Sequence, residues 1–373
     1  MSWSIGIGRI AGTEVRIHLT FFLFVAWIAL ATGLQGGPAQ ALNAVVMVLA
    51  VFACVLAHEY GHVLTARYFG IGTKDITLLP IGGVAHIDRM PEKPSQELLI
   101  ALAGPAVNAV IAAVILIGFG ATLTPERLNA LREGRLDLVT QLATVNVALV
   151  AFNLLPAFPM DGGRVLRALL SMRMDRAQAT RIAAGIGQIV AFGLGFLGLF
   201  GNPLLIFIAI FIFIAAGQES YATEISEATR GVPVSQATVT AFETLRPGAT
   251  VGQAAQSLLS TSQHEFPVSD GAGRLRGVLT RDGMLKALAQ SGPQTPVIEV
   301  MDRDIPTVNR RAPLSEAIEK LQTGRHPAIV VVDDAEQVTG IITLENLAEF
   351  MLVKQASASW RGMLGNKRQA GRT

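Results

Sequence analysis

Apolar stretches long enough to cross a lipid bilayer fill the first two-thirds of this 373-residue chain and then stop. A hydrocarbon core about 30 Å thick needs roughly 20 apolar residues in a helix. Charged residues make up only 16% of the chain, well below the roughly 25% of a soluble domain. The sequence therefore predicts a polytopic α-helical membrane domain. The six segments that fit are residues 17–33, 41–69, 97–121, 138–155, 183–200 and 203–217.

Lysine and arginine concentrate after the second and the fourth of these segments. Cytoplasmic loops of membrane proteins carry such an excess of basic residues, and an even number of spans puts both chain ends on one side. We therefore expect a multi-pass protein of the cell (inner) membrane with its N- and C-termini in the cytoplasm. The basic residues are Arg67, Lys74, Arg89 and Lys93 after the second span, and Arg164, Arg167, Arg173, Arg176 and Arg181 after the fourth.

Net charge and cysteine content narrow the class of partner and compartment. The formal net charge is only +2, so no general basic field indicates nucleic-acid binding. Cys54 is the single cysteine, which excludes a disulfide framework. A lone cysteine in a helix is usually a small buried apolar group, although its position one turn before His58 also suits a ligand or a redox switch. The lipid bilayer is the expected surrounding of the first 220 residues.

The second predicted span contains the motif H-E-Y-G-H, from His58 to His62. Helix positions i and i+4 share a face, so the two histidines can hold one zinc ion while Glu59 approaches a water molecule as general base. The alternative is that this spacing arises by chance. Ionisable groups within an apolar span are costly to place, which favours the functional interpretation.

A catalytic zinc site has three protein ligands and one open position, so a third ligand must come from elsewhere. Asp161 is the candidate, because it lies at the predicted cytoplasmic end of the fourth span. The second and fourth spans run in the same direction, which brings Asp161 to a depth similar to that of His58 and His62. Taken alone, an aspartate at this place would more often be the N-cap of a helix over residues 162–172, and capping is compatible with binding a metal.

Two further parts of the chain have a recognisable organisation. Residues 71–90 alternate around Gly82 and Gly83, which predicts a membrane-associated β-hairpin. Irregular backbone at membrane depth must be buried in protein or line a wet cavity, so we expect this hairpin beside the active-site mouth. Beyond about residue 220 the composition is that of a soluble α/β region, in which residues such as Gly277 and Gly340 repeat 63 positions apart.

The membrane part of the chain resembles the site-2 protease family, zinc proteases that cut transmembrane helices of other proteins. The resemblance is carried by H-E-Y-G-H at 58–62, G-G-V-A at 82–85, G-P-A-V-N at 104–108 and N-L-L-P-A-F-P-M-D-G-G-R at 153–164.

This resemblance implies one zinc per chain on His58, His62 and Asp161, with Glu59 as the base. It implies that Asn153 positions substrate or stabilises the oxyanion, and that the hairpin near Gly82 pairs with an unwound substrate segment. The expected function is zinc-dependent intramembrane endopeptidase activity in regulated proteolysis, on single-pass transmembrane proteins.

Other polar residues of the membrane part have weaker claims. Asn108 can support the site from the third span or bond a neighbouring helix. Arg164 either orients Asp161 or anchors the chain at the cytoplasmic surface. His18 and His86 stand at predicted membrane borders, where packing or hydrogen bonding is the expected role. His264 and His326 lie in the soluble repeats and are expected to be ordinary surface or core residues.

The soluble repeats resemble tandem CBS domains, which bind adenine nucleotides in many proteins. An aspartate that commonly follows the G-h-h-T turn is replaced by Gly283 in the first copy and Asn346 in the second, although Thr280 and Thr343 remain. Nucleotide sensing and a structural role, including homodimerisation, both stay open. The predicted domains are a transmembrane metalloprotease domain 1–220, a linker 221–231, CBS domains 232–291 and 292–356, and a basic tail 357–373.

Two rival functions remain at this stage. CBS pairs also occur on transporters, but transporters often show internal repeats across the membrane region, and the sequence has none that we recognise. An inactive relative would bind membrane helices without cutting them, but the four residues His58, Glu59, His62 and Asp161 are all present.

Overall fold

The computed structural model describes residues 3–87, 91, 93–118, 138–324, 326–354 and 356. The chain divides into two compact units, Met1–Thr223 and Glu224–Thr373. The third predicted span beyond Gly118, the loop 119–137 with its charged residues, Arg89 and the basic tail from 357 lie outside the described residues.

The first unit is mainly helical and carries one small sheet. Its strands are β1 (Ser4–Ile10), β2 (Thr13–His18), β3 (Thr73–Leu79) and β4 (Gly82–Ile87). Its helices are α1 (Leu19–Tyr68), α2 (Pro94–Gly118), α3 (Leu138–Asn153), α4 (Asp161–Ser171), α5 (Arg176–Phe200) and α6 (Leu204–Thr229), the last of which ends in the second unit.

Four described helices, α1, α2, α5 and α6, are long and apolar enough to cross a membrane, and α3 is a shorter apolar helix of 16 residues. Helix α1 has 50 residues and contains the first two predicted spans. Gly37 interrupts it with a φ of 79°, a backbone conformation that glycine adopts without a Cβ penalty. Pro38 follows and has no N–H to continue the helical ladder. The six predicted segments therefore correspond to five described helices.

The first predicted span starts two residues too early, because β2 extends through His18. His18 is the N-cap of α1, and its Nδ1 accepts a hydrogen bond from the Thr20 amide at 3.3 Å. A helix begins where its first free N–H groups find such an acceptor. The expected hydrogen-bonding role of His18 is thus borne out by its position at the start of the helix.

The predicted hairpin is confirmed as β3 and β4, which pair antiparallel with Leu79 opposite Gly82. It belongs to a larger sheet than expected, since β2 pairs parallel with β3 and β1 pairs antiparallel with β2. The strand order β1-β2-β3-β4 leaves β4 as an outer strand of this sheet. His86 of β4 bonds through Nδ1 to Asp75 Oδ1 of β3 at 2.7 Å.

The second unit contains the predicted repeat as two similar α/β modules. The first has α7 (Val251–Ser260), β5 (Glu265–Ser269), β6 (Leu275–Thr280) and α8 (Arg281–Gln290). A short helix α9 (Val297–Val300) leads to the second, with β7 (Thr307–Asn309), α10 (Leu314–Thr323), β8 (Ala328–Val332) and β9 (Val338–Thr343). Helix α7 and strands β5 and β6 each have a counterpart that starts 63 positions later.

Candidate metal centre

Two buried histidines face the same side of α1, one helical turn apart. The Nε2 atoms of His58 and His62 lie 3.1 Å from each other. Gly61, between them, permits close approach of α2, because a Cβ at this position would meet the Ala103 carbonyl oxygen at 2.7 Å. The apolar sequence around the motif continues the helix, so the i, i+4 spacing becomes a fixed pair of ring nitrogens.

Asp161 reaches these two nitrogens from the start of α4. Its Oδ2 atom is 3.2 Å from Nε2 of His58 and 3.2 Å from Nε2 of His62. Asp161 is the first residue of α4, and Met160 is the N-cap, so the alternative that Asp161 caps the helix is wrong. The turn is tight at Gly163, where a Cβ would meet the backbone of Ala157 at 2.7 Å.

Hydrogen bonds at the far side of each ring decide which nitrogen carries the proton. His62 Nδ1 is 2.7 Å from the Ile100 carbonyl oxygen, which can only accept. His58 Nδ1 is 2.5 Å from Asn108 Oδ1, and the Asn108 amide nitrogen donates to Asn146 Oδ1 at 2.7 Å. Asn146 in turn donates to the Leu142 carbonyl at 2.8 Å, which fixes the orientation of both amides. Both histidines therefore donate through Nδ1 and keep a lone pair on Nε2.

The three converging atoms fit a bound cation. Two imidazole lone pairs and a carboxylate oxygen repel one another at about 3 Å, and Asp161 Oδ2 has no hydrogen-bond donor among the described residues. A tetrahedral zinc ion with bonds of about 2.0–2.1 Å sets its ligand atoms roughly 3.3 Å apart. The two-nitrogen, one-oxygen donor set and its spacing both match zinc, and His58, His62 and Asp161 are the residues that would hold it.

Gly104 of α2 closes one side of the same site. A Cβ there would meet Nε2 of His58 at 2.7 Å and Cε1 of His62 at 2.6 Å. Helix α2 can therefore pack against the two rings only with glycine at this position. The face of α2 that supplies Gly104 also supplies the Ile100 carbonyl and Asn108.

Glu59 lies between the histidines and the sheet. It is half-buried, and a Cβ on Gly83 of β4 would meet its Cγ at 2.6 Å and its Oε1 at 3.1 Å. The expectation that the hairpin lies beside the site is met by this contact. A carboxylate adjacent to the ligand pair and open towards an outer strand can accept a proton from water at that point.

Other residues singled out in the sequence take different places. Asn153 is the last residue of α3 and is half-buried, eight positions before Asp161, and its catalytic role stays a prediction. Arg164 is half-buried on the first turn of α4. Cys54 is a buried thiol on α1, outside the cluster of possible metal ligands.

The sequence reasoning missed Asn146, which is fully buried on α3 and orients Asn108. An asparagine within an apolar helix was the signal that could have found it, because such groups seek partners on neighbouring helices. It also missed that Arg167 and Arg176, counted there only among the basic residues after the fourth span, both form ion pairs with Glu97 inside the first unit.

Comparison with known proteins places this arrangement in a family. The model of peptidase family M50 matches residues 46–125 and 121–197. Zinc metalloprotease MJ0392 of Methanocaldococcus jannaschii is 30% identical over 348 residues, covering 92% of this chain and 98% of that protein. The chain belongs to peptidase family M50. This membership confirms the resemblance to site-2 proteases and decides against a transporter.

Further relatives agree with both parts of the chain. The putative zinc metalloprotease Rip3 of Mycobacterium tuberculosis is 31% identical over 373 residues, covering 93% of each protein. A solved site-2 protease from Methanocaldococcus jannaschii is 35% identical, covers 58% of this chain and 95% of that chain, and has a TM-score of 0.44. The CBS domain model matches residues 234–290 and 297–353, which confirms the tandem pair.

A cavity lies within the CBS pair, with a volume of about 590 Å³. Phe242, Thr343 and Asn346 are among its lining residues, together with Glu243, Glu265 and Glu345. Burial raises the pKa of Glu265 above its usual value, against the opposing influence of His264 and Arg281. A carboxylate with a raised pKa is poorly hydrated, so a ligand that neutralises it or donates hydrogen bonds to it would be favoured.

Proposed function

We propose that this protein is a zinc-dependent intramembrane endopeptidase that cleaves single-pass transmembrane proteins in regulated proteolysis. The observation that carries the proposal is the convergence of two Nε2 lone pairs and one carboxylate oxygen beside Glu59, inside a family of zinc metalloproteases. An inactive relative would have no need to keep both the ligand set and an adjacent base.

The residues divide the chemistry of peptide hydrolysis among them. Zinc, when bound, supplies Lewis-acid catalysis, which polarises a carbonyl group and makes water acidic near neutral pH. His58, His62 and Asp161 hold the metal, and the bonds to Asn108 and Ile100 keep the two imidazoles in the ligating tautomer. Glu59 accepts a proton from the attacking water and delivers it to the leaving amine as the C–N bond breaks.

Strand β4 is the proposed substrate-binding edge. A transmembrane helix satisfies its peptide groups internally and must open locally before a carbonyl becomes accessible. An extended segment that pairs with β4 would regain hydrogen bonds, and it would pass next to Glu59 because Gly83 contacts that side chain. In this proposal the scissile bond lies within the short unwound stretch of substrate that pairs with β4.

The proposed membrane arrangement follows from the helices of the first unit. Helix α1 would cross twice, with a break at Gly37, and α2, α3, α5 and α6 once each. The Lys and Arg distribution then puts both chain ends in the cytoplasm. Cysteine-accessibility labelling of single-cysteine variants, made on a Cys54→Ala background, would test the arrangement. Labelling of the CBS unit from the periplasmic side would contradict it.

Reconstituted protein provides the direct test of the activity. A fluorescent single-pass reporter in vesicles should be cut by the wild type, lose cleavage after 1,10-phenanthroline, and regain it with added zinc. Glu59→Gln should bind zinc and fail to cut. Equal cleavage by Glu59→Gln and the wild type would rule out this mechanism.

The CBS pair is proposed to sense a nucleoside in its 590 Å³ cavity and thereby to modulate the protease. Three glutamates among the described lining residues disfavour added phosphate groups, and Asn346 retains hydrogen-bonding capacity at the position where an aspartate is common. Calorimetry on the full-length protein should therefore find adenosine binding tighter than AMP, and AMP tighter than ATP.

The competing role for the CBS pair is homodimerisation without a ligand. In that case none of the three compounds would bind, and the molar mass of the full chain in detergent would be that of a dimer.

A further inference from the structure

Four charged side chains form a network in the first unit, here called the charge clamp: the buried Glu97 and Arg167 and the half-buried Arg176 and Glu219. Arg167 is 1% exposed. Its Nε and Nη2 atoms lie 2.7 Å and 2.6 Å from Glu97 Oε1, and its Nη1 lies 2.5 Å from Glu219 Oε1. Arg176 Nη2 is 3.1 Å from Glu97 Oε2. The clamp joins α2, α4, α5 and α6, one helix for each residue.

Such a network is expensive unless its geometry is fully satisfied, because charges lose their hydration on burial. The Arg167 guanidinium donates to two carboxylates from fixed directions, which holds α2, α4 and α6 in one arrangement. Nothing in the proposed peptide hydrolysis uses these four residues. The free-energy cost of burying these charges therefore needs a separate explanation, namely the parts of the molecule that the clamp holds in position.

Arg167 and Asp161 belong to the same short helix, α4, which has only 11 residues. Arg167 also lies over the ring of Phe158, 5.1 Å from its centroid, in the segment that leads into Asp161. The clamp thus holds α4 from one side and the chain that precedes it from another. A change in the position of Arg167 would move the carboxylate of Asp161 with it.

Helix α2 contacts both the clamp and the two histidines. Glu97 lies in its first turn, one turn before the Ile100 carbonyl that bonds His62. Gly104 and Asn108 follow at helical spacing and contact the two rings. One face of α2 therefore sets the position of α4 through Arg167 and the orientation of both histidines.

Glu219 adds a connection to the second unit. Helix α6 continues from Glu219 to Thr229, so it crosses the boundary between the units without a break. Ile225 packs against the apolar core of the second CBS module, and the Ala228 carbonyl accepts a hydrogen bond from Lys354 Nζ at 2.5 Å.

We propose that Arg167 is a positioning residue for the metal ligand Asp161, and that its ion pair with Glu219 lets α6 transmit the state of the CBS pair to the metal site. Arg167 and Glu219 do not touch substrate or metal. The inference rests on the proposed zinc site, and it names a route by which the CBS pair regulates that site.

The first test measures zinc affinity of the full-length protein in nanodiscs, by competition with a fluorescent chelator and without substrate. Arg167→Gln should weaken zinc binding at least tenfold, the range seen when outer-shell partners of metal ligands are removed. Arg167→Lys keeps the charge but lacks the planar guanidinium that reaches Glu97 through two nitrogens and Glu219 through a third, so it should weaken binding less and provides a measurement if Arg167→Gln does not fold. Arg173→Gln, an exposed arginine just after α4, is the matched control and should match the wild type.

A purely structural clamp would give a different result. Arg167→Lys would then lower the unfolding temperature of the metal-free and the zinc-loaded protein equally and leave the zinc Kd unchanged. That outcome would overturn the positioning role.

The second test asks whether α6 carries the coupling. Ile225→Ala, which loosens the CBS end of α6, should weaken zinc binding about threefold when Glu219 is present. In a Glu219→Gln background the same substitution should have no effect on the zinc Kd. Equal shifts in both backgrounds, or no shift in either, would refute transmission through Glu219.

These measurements separate the two proposals. A wild type that binds zinc tightly but cuts no reporter would count against the endopeptidase and leave the clamp intact. Normal cleavage by the wild type, together with an unchanged zinc Kd in Arg167→Lys, would support the endopeptidase and count against the positioning role of the clamp.

Discussion

Gly104→Ala is predicted to abolish high-affinity zinc binding with little disturbance elsewhere in the chain. The added methyl carbon would stand 2.7 Å from Nε2 of His58, 2.6 Å from Cε1 of His62 and closer still to Nε2 of His62, short of the 3.4 Å at which ordinary van der Waals contact begins. Both rings must therefore give way, that of His58 by about 0.7 Å and that of His62 by more than 0.8 Å. Neither ring can retreat easily, because Asn108 and the Ile100 carbonyl hold both rings to the helix that carries the new methyl group.

The size of the loss in zinc affinity follows from the interactions that the added methyl group must disrupt. Moving either imidazole sacrifices a buried hydrogen bond, at roughly 1–3 kcal/mol, and overpacking of the interface costs roughly another 1–3 kcal/mol. If half of this combined cost, roughly 1–3 kcal/mol, falls on the zinc-bound form alone, the zinc Kd should rise about 5- to 140-fold, since each 1.4 kcal/mol is a factor of ten.

The assay is zinc content of the purified full-length protein together with a chelator-competition Kd. Gly118→Ala is the matched control, because it lies on the same helix and its Cβ would meet nothing within 4 Å. Gly118→Ala should keep one zinc per chain. Stoichiometric zinc with a wild-type Kd in Gly104→Ala would refute the packing argument.

Three further predictions follow from the same contacts. Asn146→Leu should weaken zinc binding about tenfold, because Asn108 loses the partner that orients its amide. Asn146→Asp keeps an acceptor for Asn108, so its zinc Kd in the same competition assay should be close to that of the wild type. Asp161→Asn should lose zinc while retaining the helical circular dichroism of the wild type, and wild-type zinc content in that variant would remove Asp161 from the ligand set. Burial raises the pKa of Glu265 in the CBS pair, so the folded state holds this proton more tightly than the unfolded state does. The charged carboxylate therefore destabilises the fold above that pKa. This penalty disappears as the pH falls below about 4.5, the ordinary pKa of the group. Glu265→Gln should therefore raise the unfolding temperature of this unit at pH 7 but not at pH 4, and a rise of equal size at both values would contradict the burial argument.

The membrane helices and the central cluster were accessible from the sequence for simple physical reasons. Helical spacing puts His58 and His62 on one face whatever the surroundings. The direction of successive spans brings Asp161 to similar depth, and the structure places these three residues together. The 63-residue repeat likewise predicts a second α/β module because each element of the first has a counterpart.

Other features depend on contacts that no local pattern encodes. Strand β1 alternates isoleucine with Gly6 and Gly8 rather than with polar residues, and all its residues after Ser4 are exposed, so its pairing with β2 was not predicted. Arg167 and Glu97 are 70 positions apart, and only the packing of α2 against α4 brings them together.

The most direct test of the central claim compares new peptide termini in membranes from cells that make the wild type and cells that make Glu59→Gln at equal levels. The account predicts termini within transmembrane segments of single-pass proteins that appear only with the wild type. Identical sets of termini, with zinc bound to both proteins and the reporter uncut in vesicles, would contradict it.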